Sequence, residues 1–230
     1  MRISKYIANA GICSRRNAEK LILNRKVFIN SVLCTKPNTN VDLKDKIVVN
    51  NKLIKINNII KLWKMYKPTK VLCTNRDLHN RKTVFDLMPD YLPRLISIGR
   101  LDYMSEGLIL FTNNGDFARK LELPSSNFLR KYELYLNNKV NYNDIKKINK
   151  GIIISGIKYD KIKIKIKKDD EKKTLLICEL FEGKNREIRN IAKYFKWKII
   201  KLIRVQYASI KLNNQKAGEI KEVINFESIL

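Results

Sequence analysis

The sequence predicts an α+β protein, with a small N-terminal α/β domain ahead of a larger domain built on a mostly antiparallel sheet. Near the N-terminus apolar residues recur at helical spacing, and short strands follow. Further along, strand-like runs outnumber helices, and their apolar and polar residues alternate. Between the two patterns lies a stretch rich in Asn and Lys, at residues 50–60. We therefore expect domains at 1–56 and 61–230, joined by a linker.

The N-terminal domain is predicted from two helices and two strands. A first helix spans residues 2–10, and Gly11 suits its end. Ser14 is a candidate N-cap for a second helix that runs to Ile22, with Arg15, Arg16 and Lys20 on the face away from the core. The expected strands are 27–29 and 47–49.

The larger domain is predicted from alternating runs and four amphipathic segments. The expected strands are 61–66, 71–74, 95–98, 108–112, 132–136, 161–167, 174–181 and 198–205. The expected helices are 83–88, 116–122, 143–149 and 186–196.

Composition narrows the function classes. A net charge of +26 favours a polyanionic partner, although an AT-rich genome would also enrich Lys. No run approaches the roughly 18 apolar residues of a membrane span, and the N-terminus lacks a signal peptide's apolar region. Four separated cysteines and one histidine predict reduced thiols in the cytoplasm and no metal site. Carboxylates, hydroxyls, Lys, Arg or Tyr must then supply the chemistry.

The first 56 residues carry twelve Lys and Arg against three acids. A solvated helix face explains such charge in many proteins, but adjacent arginines after a cap also suit phosphate contacts. The run from Ser14-Arg15-Arg16 to Leu21-Ile22, followed by 27–30, resembles the S4-like RNA-binding domain. That family usually has Gly in the hairpin turn where this chain has Ser31.

The segment 98–115 places Arg100 and Asp102 in a short loop between two apolar strands. Spacing alone is compatible with an ordinary loop carboxylate in an Asx-turn. The segment resembles the signature motif of the RsuA/RluB family of RNA pseudouridine synthases. The matching positions are Gly99, Arg100, Leu101, Asp102, Ser105, Gly107, Thr112, Asn113 and Gly115, with Asn114 where the family has Asp.

Three other segments, one before this motif and two after it, fall in the family's order. Residues 64–87 resemble its first motif and basic loop, although Asp77-Leu78-His79-Asn80-Arg81 replaces Asp-Pro-His-Gly-Arg. Asn tolerates a positive φ better than most residues, so the loop shape is expected to persist. The last two segments are 130–132 and 182–189. On spacing alone, Tyr132 could be a half-buried strand aromatic and the cations near 186–193 a solvated face.

The resemblance implies a base-flipping enzyme that needs no cofactor or metal. It assigns Asp102 as the catalytic carboxylate, acting as nucleophile or as base at the sugar, with Arg189 paired to it. Arg100 would fill the space that the base leaves, and Tyr132 would stack on the base. The implied RNA-binding residues are Arg15, Arg16, Lys20, Arg76, His79, Arg81, Arg130, Lys184 and Arg186. The implied partner is ribosomal RNA or a pre-ribosomal particle, and we expect a monomer.

Two rival functions explain less. A non-catalytic RNA-binding or ribosome-assembly protein accounts for the charge and the first domain, but not for Asp102, Tyr132 and Arg189 in order. A methyltransferase needs a Gly-rich nucleotide-binding turn, and none of the eight glycines is so arranged. Glu106-Gly107 and the stretch 121–124 favour the large-subunit (RluB-like) branch, hence 23S rRNA, with 16S rRNA as the alternative.

Overall fold

The computed structural model describes residues 1–75, 77–170, 172–226 and 229. It divides into two compact units. The first comprises Met1–Lys61, Pro89–Ile96 and Thr112–Phe117, and the second comprises Leu62–Met88, Ser97–Phe111 and Ala118–Leu230. The predicted α+β class, with a mostly antiparallel sheet in the larger part, is confirmed.

Two helices open the first unit, α1 (Ile3–Asn9) and α2 (Arg15–Leu23). The predicted cap is confirmed, because the Ser14 hydroxyl accepts the N–H of Asn17 at 3.2 Å. Ile3, Ile7 and Ile22 are fully buried between the helices and the adjacent sheet, as their spacing predicts. The polar face of α2 is thereby left to solvent.

The sheet of the first unit is antiparallel in the order β2-β1-β3-β4, with strands β1 (Val27–Ile29), β2 (Val32–Leu33), β3 (Ile47–Val49) and β4 (Lys52–Ile54). Asn30 and Ser31 form the β1–β2 turn with φ of 49° and 70°. A two-residue hairpin of this type requires positive φ at both positions, so the turn persists without the usual Gly. The expected linker at 50–60 is partly wrong, since β4 lies inside it and pairs with β3.

In the part of the chain beyond β4 that the structure describes, the strands are β5 (Leu62–Lys67), β6 (Ile96–Ile98), β7 (Glu106–Thr112), β8 (Arg130–Leu136), β9 (Ile152–Ile154), β10 (Ile157–Tyr159), β11 (Lys163–Asp169), β12 (Thr174–Leu180), β13 (Ile199–Tyr207), β14 (Ile210–Lys211) and β15 (Ile220–Val223). The helices described there are α3 (Gly115–Glu122), α4 (Tyr142–Lys150) and α5 (Glu187–Tyr194).

The main sheet has the order β11-β12-β8-β13-β7-β5-β15, with β14 beside β13 and β6 beside β7. Its β7 and β13 strands are parallel, whereas β12, β8 and β13 form antiparallel pairs. Ile188, Ile191 and Ala192 of α5 are buried in the same core as Leu134 and Leu176 of the sheet. This packing fixes α5 against the strands that border the cleft described below.

Two predicted elements of the larger domain are wrong. Residues 71–74 form no strand, since only Leu72 makes an isolated bridge, to Thr83. The segment 83–88 contains a 3-10 turn at Phe85–Leu87 in place of the expected helix. At the start of this turn the Asp86 side chain accepts a hydrogen bond from the Thr83 N–H at 2.7 Å. None of the described helices is long and apolar enough to cross a bilayer.

Candidate active site

Asp102 lies in the turn between β6 and β7. Gly99 begins the turn with φ of 68°, and its N–H donates to the Glu122 carboxylate at 2.7 Å. The N–H of Leu101 points to the Cys73 sulfur at 3.3 Å, and that of Ser105 donates to the Asp102 carbonyl at 3.0 Å. These bonds fix the turn on both sides of Asp102, whose side chain stays 29% exposed.

Two arginines face the Asp102 carboxylate. Arg189 Nε lies 3.3 Å from Oδ2, an ion-pair distance without hydrogen-bond alignment, and Arg186 Nη1 lies 3.9 Å from the same oxygen. Arg189 also donates from Nη2 to the Ser105 hydroxyl at 3.0 Å. Burial lowers the pKa of Arg189, and the charge of Asp102 opposes that shift. The predicted partner of Asp102 is therefore held at ion-pair distance from it by α5.

Asp102 opens onto a cleft of about 460 Å³, a size that suits a small ligand. Tyr132 of β8 lines the same cleft and is half-buried, and Arg100 lines it with an exposed side chain. Cations outnumber acids in the wall: Arg100, Arg130, Lys184, Arg186, Arg189 and Arg204 against Asp102, Glu122 and Glu187. The four residues predicted to be catalytic are thus brought to one cationic cleft.

The strand after the Asp102 turn runs very close to β13. Gly107 has φ of 103°, and a Cβ built on it would lie 2.4 Å from the carbonyl oxygen of Arg204 and 2.7 Å from its amide nitrogen. Only a residue without a side chain allows two backbones to approach so closely. Gly107 thereby sets Arg204 beside the turn that carries Asp102.

Lys67, at the end of β5, is fully buried beneath the turn. Its ammonium donates to the carbonyls of Pro68 at 2.8 Å and Ser105 at 2.7 Å. Burial lowers its pKa to about 8, although Cys73 and Asp102 act in the opposite direction. The match to the family's first motif included Lys67 without giving it a role. Lys67 lies two residues after the buried Met65 on β5, so its side chain is on the same buried face of the strand, and this alternation could have indicated its burial.

The turn between β12 and α5 is built around a buried carboxylate. Glu187 is 3% exposed and accepts the N–H of Lys184 at 3.3 Å, and burial beside Glu182 raises its pKa. Arg186, just before the helix, takes φ of 53° and is directed toward Asp102. Sequence patterns did not single out Glu187, because a charged residue at a helix start is normally exposed.

Four buried side-chain atoms of the described residues lack a hydrogen-bond partner. Three of them belong to residues of the cleft wall: Glu187 Oε1, Arg189 Nε and Arg204 Nη2. Buried polar groups are normally paired, so such a concentration at one cleft calls for a functional explanation. Arg204, which sequence reasoning also missed, follows the parity of the buried Leu202 on β13.

The cations predicted to bind RNA have different surroundings. Arg15, Arg16, Lys20 and His79 are exposed, whereas Arg76 lies outside the described residues. Arg81 is exposed but pairs with Asp77 at 2.8 Å, and Asn80 takes the expected positive φ of 53°. Lys184 is exposed, and its ammonium bonds to the Glu182 carboxylate and the Lys158 carbonyl.

Arg130 is the exception among these cations, because it is 9% exposed. Its guanidinium donates to the carbonyls of Phe128 and Phe181 and to the Tyr207 hydroxyl. It also lies over the Tyr207 ring, with 5.0 Å between its Cζ and the ring centroid. Arg130 therefore forms part of the cleft wall and is not a freely exposed cation.

Comparison with protein families agrees with this architecture. The model of the RNA pseudouridylate synthase family matches residues 61–194, and the S4 domain model matches residues 1–47. A solved structure described as a pseudouridylate synthase superposes with a TM-score of 0.69, covering 97% of this chain and 96% of its own. At 22% identity that likeness shows the fold alone.

Curated relatives cover nearly the whole chain. A protein of Rickettsia typhi described as an uncharacterized RNA pseudouridine synthase is 48% identical, over 97% of this chain and 92% of its own. The ribosomal large subunit pseudouridine synthase B of Bacillus subtilis is 33% identical over 98% and 93%, and that of Buchnera aphidicola is 36% identical over 95% and 88%.

The fold, the cleft and these matches define an RNA-modifying isomerase with an S4 domain at its N-terminus. The chain belongs to the RNA pseudouridylate synthase family. The predicted RsuA/RluB resemblance is confirmed, and so is the prediction that the protein is a pseudouridine synthase.

Proposed function

We propose that this protein converts one specific uridine of large-subunit (23S) ribosomal RNA to pseudouridine, with Asp102 as its catalytic carboxylate. The observation that carries the proposal is the ion pair of Asp102 with Arg189 inside a cationic cleft that Tyr132 also lines. The ribosomal large subunit is the substrate named for the Bacillus and Buchnera relatives, and this supports the choice of RNA.

The reaction exchanges one bond for another at the same sugar carbon. The bond between N1 of uracil and C1′ of the ribose breaks, and C5 of the turned base bonds to C1′. The hydrogen of C5 leaves as a proton, and N1 ends with a proton, so that no atom is gained and nothing is oxidised. This isomerisation needs a group that acts at the sugar, for which Asp102 is proposed, and a pocket in which the free base can turn.

The base must first leave the RNA stack, which costs a few kcal/mol. Arg100, exposed at the cleft mouth, is placed to enter the space that the base leaves. Tyr132 offers its ring to the extruded uracil, and such stacking contributes about 1–3 kcal/mol per base. The two side chains together offset the cost of extrusion.

Asp102 then acts at the ribose, either by attacking C1′ or by removing a proton from the sugar. Arg189 holds the carboxylate in place and is itself fixed by the Ser105 hydroxyl. Arg186, farther from the carboxylate and 55% exposed, adds positive charge where the RNA backbone enters. The arrangement is set before the substrate arrives, as efficient electrostatic catalysis requires.

The N-terminal domain, residues 1–56, anchors a structured segment of the ribosomal RNA, and residues 61–230 form the catalytic domain. The exposed face of α2, with Arg15, Arg16 and Lys20, supplies phosphate contacts that do not depend on sequence. RNA, free or in a pre-ribosomal particle, is the partner, and the chain acts as a monomer.

The experiment compares wild type with Asp102→Asn in a tritium-release assay on ribosomal RNA labelled at C5 of uridine. The amide keeps the size of the side chain but neither attacks the sugar nor takes its proton. We expect turnover to be lost and RNA affinity to be largely retained. Asp170→Asn, an exposed carboxylate beyond β11, is the matched control and should remain fully active.

Sequencing of pseudouridines in ribosomal RNA from cells with and without the protein identifies the target. The proposal predicts one 23S position that is modified only when the protein is present. Residual turnover by Asp102→Asn contradicts the catalytic assignment, whereas a target in 16S rRNA contradicts the choice of subunit and leaves Asp102 in place.

A further inference from the structure

Arg204 is a buried cation without an acidic partner among the described residues. Its side chain belongs to a residue only 3% exposed, and its Nε donates to the Leu108 carbonyl at 2.6 Å. Its Nη2 has no hydrogen-bond partner among the described residues, and no ion pair described for the chain includes it. A buried guanidinium without an acidic partner destabilises the folded state unless another group accepts its hydrogen bonds.

The surroundings of Arg204 orient it toward the cleft. It lies directly opposite Tyr132 in the antiparallel register of β13 and β8, and directly opposing side chains of a sheet share one face. Its guanidinium lies over the Tyr207 ring, with 5.3 Å between Cζ and the centroid. Both Arg204 and Tyr132 line the cleft that contains Asp102.

The backbone of Arg204 is held rigidly. Gly107 allows β7 to approach it closely, and β7 continues directly from the Asp102 turn. The donor of Arg204, the ring of Tyr132 and the carboxylate of Asp102 therefore have fixed positions around one space. A ligand in that space would lie beside the Arg204 guanidinium, which lines the cleft.

We propose that Arg204 recognises the target base by donating a hydrogen bond from its guanidinium to a carbonyl oxygen of the uracil stacked on Tyr132. This inference rests on the proposed function and adds to it a residue that reads the base. Uracil carries its acceptors at C2 and C4, on the edge of a flat ring, so that a ring lying on Tyr132 presents them sideways to its neighbour on the sheet.

A phosphate fits this position less well. It would have to give up most of its hydration to reach a side chain that is 3% exposed, and the cleft offers phosphates exposed cations at Lys184 and Arg186. A base sheds water when it stacks, and its carbonyl can then bond to a buried donor. The cation–π interaction with Tyr207 keeps the charge of Arg204 tolerable before the base arrives.

The hydrogen bond also helps the chemistry. When the N1–C1′ bond breaks, the electron pair stays on N1 and spreads onto the two carbonyl oxygens of the departing uracil. A fixed cationic donor at one of these oxygens stabilises the charge as it develops. Removal of the Arg204 guanidinium should therefore lower kcat more than it raises KM.

The test combines variants with altered bases. Wild type, Arg204→Lys and Arg204→Gln are assayed on RNA fragments carrying uridine, 2-thiouridine or 4-thiouridine at the mapped position, since sulfur accepts hydrogen bonds weakly. We expect Arg204→Gln to lose about 10- to 100-fold in kcat/KM on uridine RNA, as expected for a charge-assisted hydrogen bond. Arg119→Gln, on the exposed side of α3, is the control and should match wild type.

One thio substitution should slow wild type, and the same substitution should have little further effect on Arg204→Gln. The position of that sulfur identifies the oxygen. Thio effects of equal size in wild type and variant overturn the proposal. The proposal is also overturned if Arg204→Gln loses only RNA affinity and the salt dependence of its binding is reduced, since that result indicates an interaction with phosphate.

If the Arg204 variants fail to fold, a second measurement tests the proposal without them. The Asp102→Asn chain, with Arg204 intact, is titrated with the three RNA fragments. Weaker binding of one thio fragment supports the hydrogen bond, and equal binding of all three overturns it. If wild type makes no pseudouridine in ribosomal RNA at all, the proposed function fails, which is a different result from pseudouridine formation that is indifferent to Arg204.

Discussion

Replacing Lys67 with Met removes an ammonium that is buried beneath the Asp102 turn. The folded chain holds this group with two carbonyls, those of Pro68 and Ser105, and burial lowers its pKa from 10.5 to about 8. The unfolded chain restores the ordinary value. The folded and unfolded states therefore bind different numbers of protons over a defined range of pH.

The sign follows from which state keeps the proton. Between pH 8 and 10.5 the unfolded chain keeps the proton on Lys67 and the folded chain has released it, so the free energy of unfolding rises with pH. The contribution is fully present above 10.5 and is lost as the pH falls through about 8. Between pH 7 and pH 10 these two values give about 2.5 kcal/mol.

The assay is urea unfolding of wild type and Lys67→Met at pH 7 and at pH 10. The difference in unfolding free energy, wild type minus variant, should increase by about 2.5 kcal/mol between the two pH values. Lys67→Met also removes the hydrogen bonds to the two carbonyls, and this changes the unfolding free energy of the variant at both pH values. Lys139→Met, at an exposed position, should show no such increase. A difference that does not change with pH contradicts the assigned burial of Lys67.

Gly107→Ala should lower the unfolding free energy by about 3 kcal/mol and reduce turnover, because the new Cβ would lie 2.4 Å from the Arg204 carbonyl oxygen, a backbone atom. An unchanged melting temperature contradicts the close approach. Ser31→Gly should raise the unfolding free energy by about 1 kcal/mol in urea unfolding, since Ser31 holds φ of 70°, and a decrease in stability contradicts the assigned turn. Replacing the exposed cations of α2 with Ala should weaken RNA binding similarly across sequences and reduce its salt slope by about one for each phosphate that is no longer bound. An unchanged slope for the triple variant of Arg15, Arg16 and Lys20 contradicts the anchoring role.

The sequence predicted the helices of the first unit and most strands of the second because their signals are local. The cap at Ser14 and the spacing of Ile3 and Ile7 are read from a few neighbouring residues. The strand Lys52–Ile54 was missed, since its stability depends on pairing with β3 and its composition resembles a linker. Residues 71–74 have strand composition but no neighbour to pair with beyond one bridge at Leu72.

The candidate site shows the same division. Asp102, Tyr132 and Arg189 were predicted from motifs of the RsuA/RluB family, and the structure brings them to one cleft. Lys67 and Arg204 could not be assigned in the same way, because each acquires its role from residues far away in the chain. The alternation of buried and exposed residues along a strand indicates that such a side chain is buried, but only the assembled sheet shows which atoms surround it.

Three buried polar atoms of the described cleft wall lack a hydrogen-bond partner, and such atoms lower the stability of the folded enzyme. These atoms are Glu187 Oε1, Arg204 Nη2 and Arg189 Nε, the last of which keeps its ion pair with Asp102. Apolar substitutions of matching shape there should raise the melting temperature while they lower turnover, the usual conflict between stability and activity. Selection for thermostability alone would therefore replace these cleft residues first. The resulting thermostable variant would be expected to keep its fold and lose its catalytic activity.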